Sequence, residues 1–134
     1  MSKSLIIAAL SSFFLLVVVD FIWLTTASNF LYKPKLGPLL LEKPVLWAAA
    51  LFYVLYAVGV AVLILRPAVA EGSVFTALWT GALLGLVAYG AYDLTNQATL
   101  KGWSLTVTVV DMAWGAFVTG VVSAFGVWVG NKFG

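Results

Sequence analysis

The sequence predicts an all-α, polytopic integral membrane protein, in which residues 1–134 form one bundle of four transmembrane helices. Hydrophobic residues make up 63% of the chain and charged residues only 9%, a composition far from that of soluble domains. The mean hydropathy is +1.10. Four apolar segments are each long enough to cross a bilayer, which takes about 20 helical residues.

The first helix is predicted over residues 4–31, longer than one perpendicular span, so it should tilt or extend past the membrane interface. It is also longer than the apolar core of a signal peptide, and we expect it to be retained. Pro34, Gly37 and Pro38 should end it, because prolines and glycine interrupt helices. The amphipathic stretch at residues 39–43 is expected to lie at the membrane interface.

The other three helices are predicted over residues 45–65, 73–98 and 104–129. Pro44 suits the first turn of the second helix, and Arg66-Pro67 should stop it. Ser73 and Ser104 are expected to cap the third and fourth helices. Of the seven basic residues, three fall on the side of the termini and four on the other side. This distribution weakly favours a cytoplasmic location for the connection between the first and second helices and for that between the third and fourth, and it leaves a dual topology open.

The composition also excludes several kinds of site. The chain has no Cys and no His, which rules out thiol nucleophiles, disulfides, zinc sites and a Ser-His-Asp triad. No basic tract suggests a nucleic acid partner. We therefore predict no cofactor, no metal and no nucleic acid, and a lipid bilayer as the surroundings.

Three of the five acidic residues, Asp20, Asp93 and Asp111, lie inside apolar segments that contain no Lys or Arg. An ionisable side chain at membrane depth costs about 2.5–3.5 kcal/mol, so it is usually functional or paired. The compensating positive charge must come from protons, a bound cation or an amine ligand, or water must solvate the acids.

The predicted helices place the three acids in one half of the bilayer. Asp93 and Asp111 should lie about 8–11 Å from the same membrane face, and Asp20 about 16 Å from it, at 1.5 Å per helical residue. The three can converge if their helix faces turn inward.

Each acid has polar or aromatic neighbours at helical spacing. Trp23 follows Asp20 by one turn and Trp114 follows Asp111 by one turn, which repeats an Asp-x-x-Trp motif. Because the two copies lie on antiparallel helices, we interpret the repeat as chance or convergent packing. The predicted ligand- or cation-binding residues are Asp20, Trp23, Tyr89, Asp93, Asn96, Asp111 and Trp114, with Tyr53 and Tyr56 as aromatic walls.

The three acids are expected to differ in role. Asp20 and Asp111 should exchange protons, while donors beside Asp93, on Tyr92, Thr95 and Asn96, should keep that carboxylate ionised.

Small residues recur every four positions on the third and fourth helices, as Ala77, Gly81 and Gly85 and as Gly115, Thr119 and Ser123. Such rows let helix backbones approach closely. They predict bundle packing, and we also expect them to support a homo-oligomer. Tryptophans near the span ends are predicted to form an interfacial belt. They are Trp47, Trp79, Trp103 and Trp128.

The strings YDLTNQATLKGW at residues 92–103, VVDMAWG at 109–115 and VVDFIWL at 18–24 resemble the signature of a bacterial family of small predicted membrane proteins catalogued as a domain of unknown function. The resemblance implies four spans and a bacterial inner (cytoplasmic) membrane, and it directs attention to Asp20, Asp93, Asn96 and Asp111. It implies no activity. The sequence departs from the signature at Gln97 and Ser104, neither of which alters an acid.

The favoured function is binding or transport of a proton, a cation or a small cationic or amphipathic molecule in an acid-lined cavity. One alternative is a lipid-modifying enzyme or accessory subunit, in which Asp93 and Asn96 act as an acid–base pair or hold a divalent cation. The other is a structural subunit whose acids hydrogen-bond between helices.

Overall fold

The computed structural model describes residues 2–134 and contains four helices long and apolar enough to cross a membrane. They are α1 (Lys3–Leu39), α2 (Leu46–Glu71), α3 (Val74–Thr99) and α4 (Leu105–Phe133). No β-strand occurs in residues 2–134. The predicted all-α membrane fold is confirmed.

Serine hydroxyls cap three of the four helices. The Ser73 hydroxyl accepts a hydrogen bond from the Thr76 amide at 3.0 Å, and the Ser104 hydroxyl accepts one from the Val107 amide at 3.3 Å. Ser2 caps α1 in the same way. A cap satisfies amide groups that have no partner inside the helix, so these starts follow from local sequence.

The stop predicted at Arg66-Pro67 is wrong, and α1 passes through Pro34 before its α-helical part ends at Leu36, next to the predicted Gly37 and Pro38. Each of the two helices contains a π-helical turn that ends two residues before the proline. The turn in α1 is Ser28–Tyr32, before Pro34, and the turn in α2 is Ala61–Leu65, before Pro67; both helices continue beyond the proline. A proline lacks an amide proton and clashes with the carbonyl four residues earlier. A wider turn relieves that clash, so the chain keeps its helical course to Leu36 and to Glu71.

Three smaller differences concern the connections and the last helix. α2 begins at Leu46, after Pro44. Residues 40–45 form no regular helix, so most of the stretch predicted at the interface is an irregular, exposed connection. α4 extends to Phe133, four residues beyond the prediction.

α4 packs against both α1 and α3 and forms the centre of the bundle. A methyl group added at Gly81 would lie 2.8 Å from the Thr119 carbonyl oxygen of α4, so the α3 and α4 backbones are in direct contact. On its other side, α4 places Gly126 against Ala8 and Ser12 of α1. The small-residue rows of α3 and α4 thus cover each other within one chain, and the homo-oligomer stays a prediction.

α2 is buried mainly in its second half. Val60, Ile64, Leu65 and Ala68 are buried in the main core, whereas most of the residues from Leu46 to Val58 are exposed. The first half of α2 contacts the bundle through Tyr53 and Tyr56, and a cavity separates Phe52 from α3.

Trp103 does not belong to an interfacial belt. Its side chain is buried in a second apolar cluster with Ala27, Leu31 and Leu36, and its indole N–H donates to the Thr108 hydroxyl at 2.9 Å. Trp47, Trp79 and Trp128 are exposed, as the belt prediction requires.

Candidate functional site

The three acids of the apolar segments are all buried. Asp20 is 6% exposed, Asp93 0% and Asp111 8%. Each therefore points into the bundle, which is the orientation that the cost of placing a carboxylate against lipid predicts. Their surroundings differ in the number of hydrogen-bond donors.

Asp20 on α1 has two donors from other helices. The Tyr53 hydroxyl of α2 donates to one carboxylate oxygen, and the Trp114 indole N–H of α4 donates to the other at 3.3 Å. Phenol and indole groups bring no formal charge. Asp20 thus links three helices through hydrogen bonds.

Asp111 on α4 has one donor, the Tyr32 hydroxyl of α1, at 2.5 Å. The Tyr32 oxygen in turn accepts a hydrogen bond from the Trp23 indole N–H at 3.1 Å. Tyr32 reaches this position because α1 continues through the π-helical turn rather than ending before it.

The two Asp-x-x-Trp motifs interlock. The Trp23 and Trp114 rings stack with centroids 4.4 Å apart and planes 8° apart. Each indole then serves the acid of the other motif, Trp114 directly at Asp20 and Trp23 through Tyr32 at Asp111. The antiparallel course of α1 and α4 makes this exchange possible. The repeat is therefore part of one continuous network from Tyr53 to Asp111.

Within residues 2–134, neither carboxyl oxygen of Asp93 on α3 has a hydrogen-bond partner, although both oxygens are buried. The donors predicted for it do not reach it. Thr95 donates to the Ala91 carbonyl at 2.5 Å, and no hydrogen bond among residues 2–134 joins Asp93 to Tyr92 or Asn96. The expectation that local donors hold this carboxylate is wrong.

Asp93 lies at the contact between α3 and α4. The hydroxyl of Thr108, one turn before Asp111 on α4, lies 3.5 Å from the Asp93 backbone carbonyl oxygen and donates to the Gln97 side-chain oxygen at 2.9 Å. Asp20 is connected to Asp111 through the tryptophan and tyrosine network.

A cavity of about 360 Å³ opens beside this network. It is lined by Phe52 of α2, by Ala88, Tyr89 and Tyr92 of α3, and by Asp111 of α4. Of the predicted site residues, only Tyr89 and Asp111 line the cavity. Asn96 is half-buried and lies outside it. In residues 2–134 no group of three His, Cys, Asp or Glu residues is placed to hold a metal ion.

A family model described as "Predicted membrane protein (DUF2177)" matches residues 5–128. The chain belongs to this family. The matched region contains every acid of the site together with Tyr32 and Tyr53. No curated protein and no solved structure matches the chain.

Sequence reasoning missed Tyr32 and underestimated Tyr53. Tyr32 was placed beyond the end of the first helix, because Pro34 was expected to stop it, and Tyr53 was assigned only as an aromatic wall. Tyr32 lies two and a half helical turns after Trp23. This spacing predicts a contact near the site only if the helix is known to continue past Tyr32. The hydroxyl contacts with Asp111 and Asp20 depend on tertiary packing.

Proposed function

We propose that this membrane protein binds a small organic cation in the cavity beside Asp111 and exchanges it for a proton, as part of a transport cycle. One observation carries the proposal. A buried carboxyl group opens onto an aromatic-walled cavity, and none of the residues that line this cavity is basic.

The lining chemistry favours a cation with an apolar body. Phe52, Tyr89 and Tyr92 supply three aromatic rings, and an aromatic face attracts a cation by about 0.5–2 kcal/mol. The Asp111 carboxylate supplies the opposite charge. The volume of about 360 Å³ falls within the range of about 300–1,000 Å³ that is usual for small-molecule sites.

The position of the cavity favours an amphipathic ligand. Phe52 and Tyr92 are both about half exposed, and the cavity lies between the first half of α2 and α3. A ligand dissolved in the bilayer would reach the aromatic walls between these two helices and would place its charged end at Asp111.

Calorimetry on the full chain in nanodiscs tests the proposal, with benzyltrimethylammonium as the cation and neopentylbenzene as the uncharged molecule of the same shape. We expect the cation to bind more tightly, and Asp111→Asn to weaken its binding by tenfold or more, about 1.4 kcal/mol. Glu71→Gln, which neutralises an exposed acid at the end of α2, is the matched control. Equal binding of the two molecules, or unchanged binding by Asp111→Asn, would contradict the proposal.

Two further measurements distinguish the alternatives. Proton release into a weakly buffered liposome lumen on addition of the cation tests exchange, and lipid turnover in the same liposomes tests for an enzyme. A structural subunit would show neither, and its Asp20→Asn, Asp93→Asn and Asp111→Asn variants would differ from wild type only in stability.

A further inference from the structure

We propose that the groove between α1 and α2, at the end of the bundle that carries the termini, binds one anionic phospholipid, with its phosphate at Arg66 and an acyl chain against Leu5 and Val62. This groove lies at the opposite end of the bundle from Asp111. Binding of the lipid does not depend on the proposed function.

The groove consists of two adjoining cavities between α1 and α2. The larger cavity has a volume of about 500 Å³ and is lined by Ser2, Ser4, Leu5, Arg66, Val69 and Ala70. The smaller cavity, of about 250 Å³, is lined by Leu5, Ala61, Val62 and Arg66. Because Leu5 and Arg66 line both cavities, hydroxyl groups lie on one side of this pair and small apolar side chains on the other.

The depth of the groove matches the two parts of a lipid. Residues 46–65 of α2 contain no charged side chain and span about 30 Å as a helix, which is the thickness of the hydrocarbon core. Arg66 follows this stretch directly, at the level of the lipid phosphates, and Ala61 and Val62 lie among the acyl chains. On α1, Ser4 likewise precedes the apolar segment that begins at Leu5.

The charge of the lining favours a phosphate. The Arg66 side chain is exposed, and none of the residues that line either cavity is acidic. Glu71, the nearest acid along α2, follows Arg66 by five residues and therefore lies on another face of the helix. A guanidinium group binds phosphate oxygens through two parallel hydrogen bonds.

The same lining favours an anionic lipid over a zwitterionic one. The ammonium group of a zwitterionic headgroup would find no carboxylate among the lining residues. The glycerol headgroup of phosphatidylglycerol instead offers hydroxyl groups to Ser2 and Ser4. The Ser2 hydroxyl oxygen accepts a hydrogen bond from the Leu5 amide at 3.1 Å, and its own proton can be donated to a headgroup oxygen.

A cavity at the other end of the bundle lacks this charge. It has a volume of about 520 Å³ and lies in the connection between α1 and α2, where both Lys33 and Glu42 line it. The Glu42 carboxylate offsets the Lys33 charge and would repel a phosphate. The anionic lipid should therefore occupy the groove at Arg66.

Native mass spectrometry of the full chain in a neutral detergent measures the dissociation constant of the first bound lipid. We expect wild type to bind dioleoyl phosphatidylglycerol about fivefold or more tightly than dioleoyl phosphatidylcholine, which is the effect of one basic side chain on anionic lipid. Equal affinities would overturn the proposal, even if no variant folds.

Two pairs of variants locate the lipid. Arg66→Gln should abolish the preference for phosphatidylglycerol, whereas Lys101→Gln, which removes the same charge from the exposed connection between α3 and α4, should keep it. Val62→Trp should also abolish the preference, because filling the apolar cavity displaces the acyl chain and draws the phosphate away from Arg66. Leu63→Trp adds the same ring at an exposed neighbour outside both cavities and should bind like wild type.

Glycerol 3-phosphate distinguishes a lipid from a free phosphate. A large excess of this soluble headgroup should leave phosphatidylglycerol bound, because it has no acyl chain for the apolar cavity. Displacement of the lipid by glycerol 3-phosphate would overturn the proposal in favour of a phosphate site. A preference for phosphatidylglycerol that survives Arg66→Gln or Val62→Trp would place the lipid elsewhere and overturn it as well.

Discussion

Gly85 of α3 is the position where one methyl group should damage the bundle most directly. An alanine Cβ there would lie 2.7 Å from the Gly115 carbonyl carbon and 2.6 Å from the Thr119 hydroxyl oxygen, and closer still to the Gly115 carbonyl oxygen. The Gly115 atoms belong to the backbone of α4 and cannot rotate away. Gly85→Ala must therefore push α3 and α4 apart.

The magnitude follows from two opposing effects. Replacing a glycine inside a helix by alanine favours the helix by about 1 kcal/mol, while overpacking a well-packed contact costs about 1–3 kcal/mol. With backbone on both sides of the contact, we take the upper part of that range and expect a net destabilisation of about 1–2 kcal/mol. Gly59→Ala in α2 is the matched control, because a Cβ there would meet nothing within 4 Å.

Equilibrium unfolding of both variants in the same detergent provides the measurement. Gly85→Ala should unfold more readily than wild type, and Gly59→Ala should be equal to wild type or more stable. A Gly85→Ala protein as stable as the Gly59→Ala protein would refute the close packing of α3 and α4. Cation binding is a second readout, since separating these helices also separates Tyr89 of α3 from Asp111 of α4, which line the same cavity.

Two further changes test other contacts of the fold. Tyr53→Phe removes the donor from α2 to Asp20 and should lower the free energy of unfolding by about 1 kcal/mol. In the double variant with Asp20→Asn, the loss of stability measured by thermal unfolding should be smaller than the sum of the two single losses. Gly72→Ala places a Cβ at a φ of 70° and should destabilise the fold by about 1–2 kcal/mol. Gly37→Ala, at a φ of −25° and in open space, should change the melting temperature little.

The features that the sequence determined by itself are those set by local physics. Four apolar segments predicted four spans, because the transfer of an apolar helix into a bilayer does not depend on which other helices it contacts. Ser73 and Ser104 predicted helix starts because a cap bonds to amides only three residues away. The burial of Asp20, Asp93 and Asp111 followed from the cost of placing a carboxylate against lipid.

The hydrogen-bond partners were decided only by the tertiary structure. Asp93 lies next to polar residues along α3, yet none of them donates to it. Tyr92 and Thr95 point to other faces of the helix, and Asn96 shares the face of Asp93 without bonding to it. Asp20 and Asp111 obtain their donors from residues between 33 and 94 positions away. Such pairs depend on the register between α1, α2 and α4, which no local pattern encodes.

Tyr32 shows how a local rule and the whole fold can disagree. A proline normally ends a helix, but α1 widens into a π-helical turn before Pro34 and carries Tyr32 to Asp111. The sequence determined that buried acids exist, since their cost depends on the residue type alone. Packing decided which acid is bonded, which is unpartnered and which faces the cavity, since those properties depend on atoms from several helices.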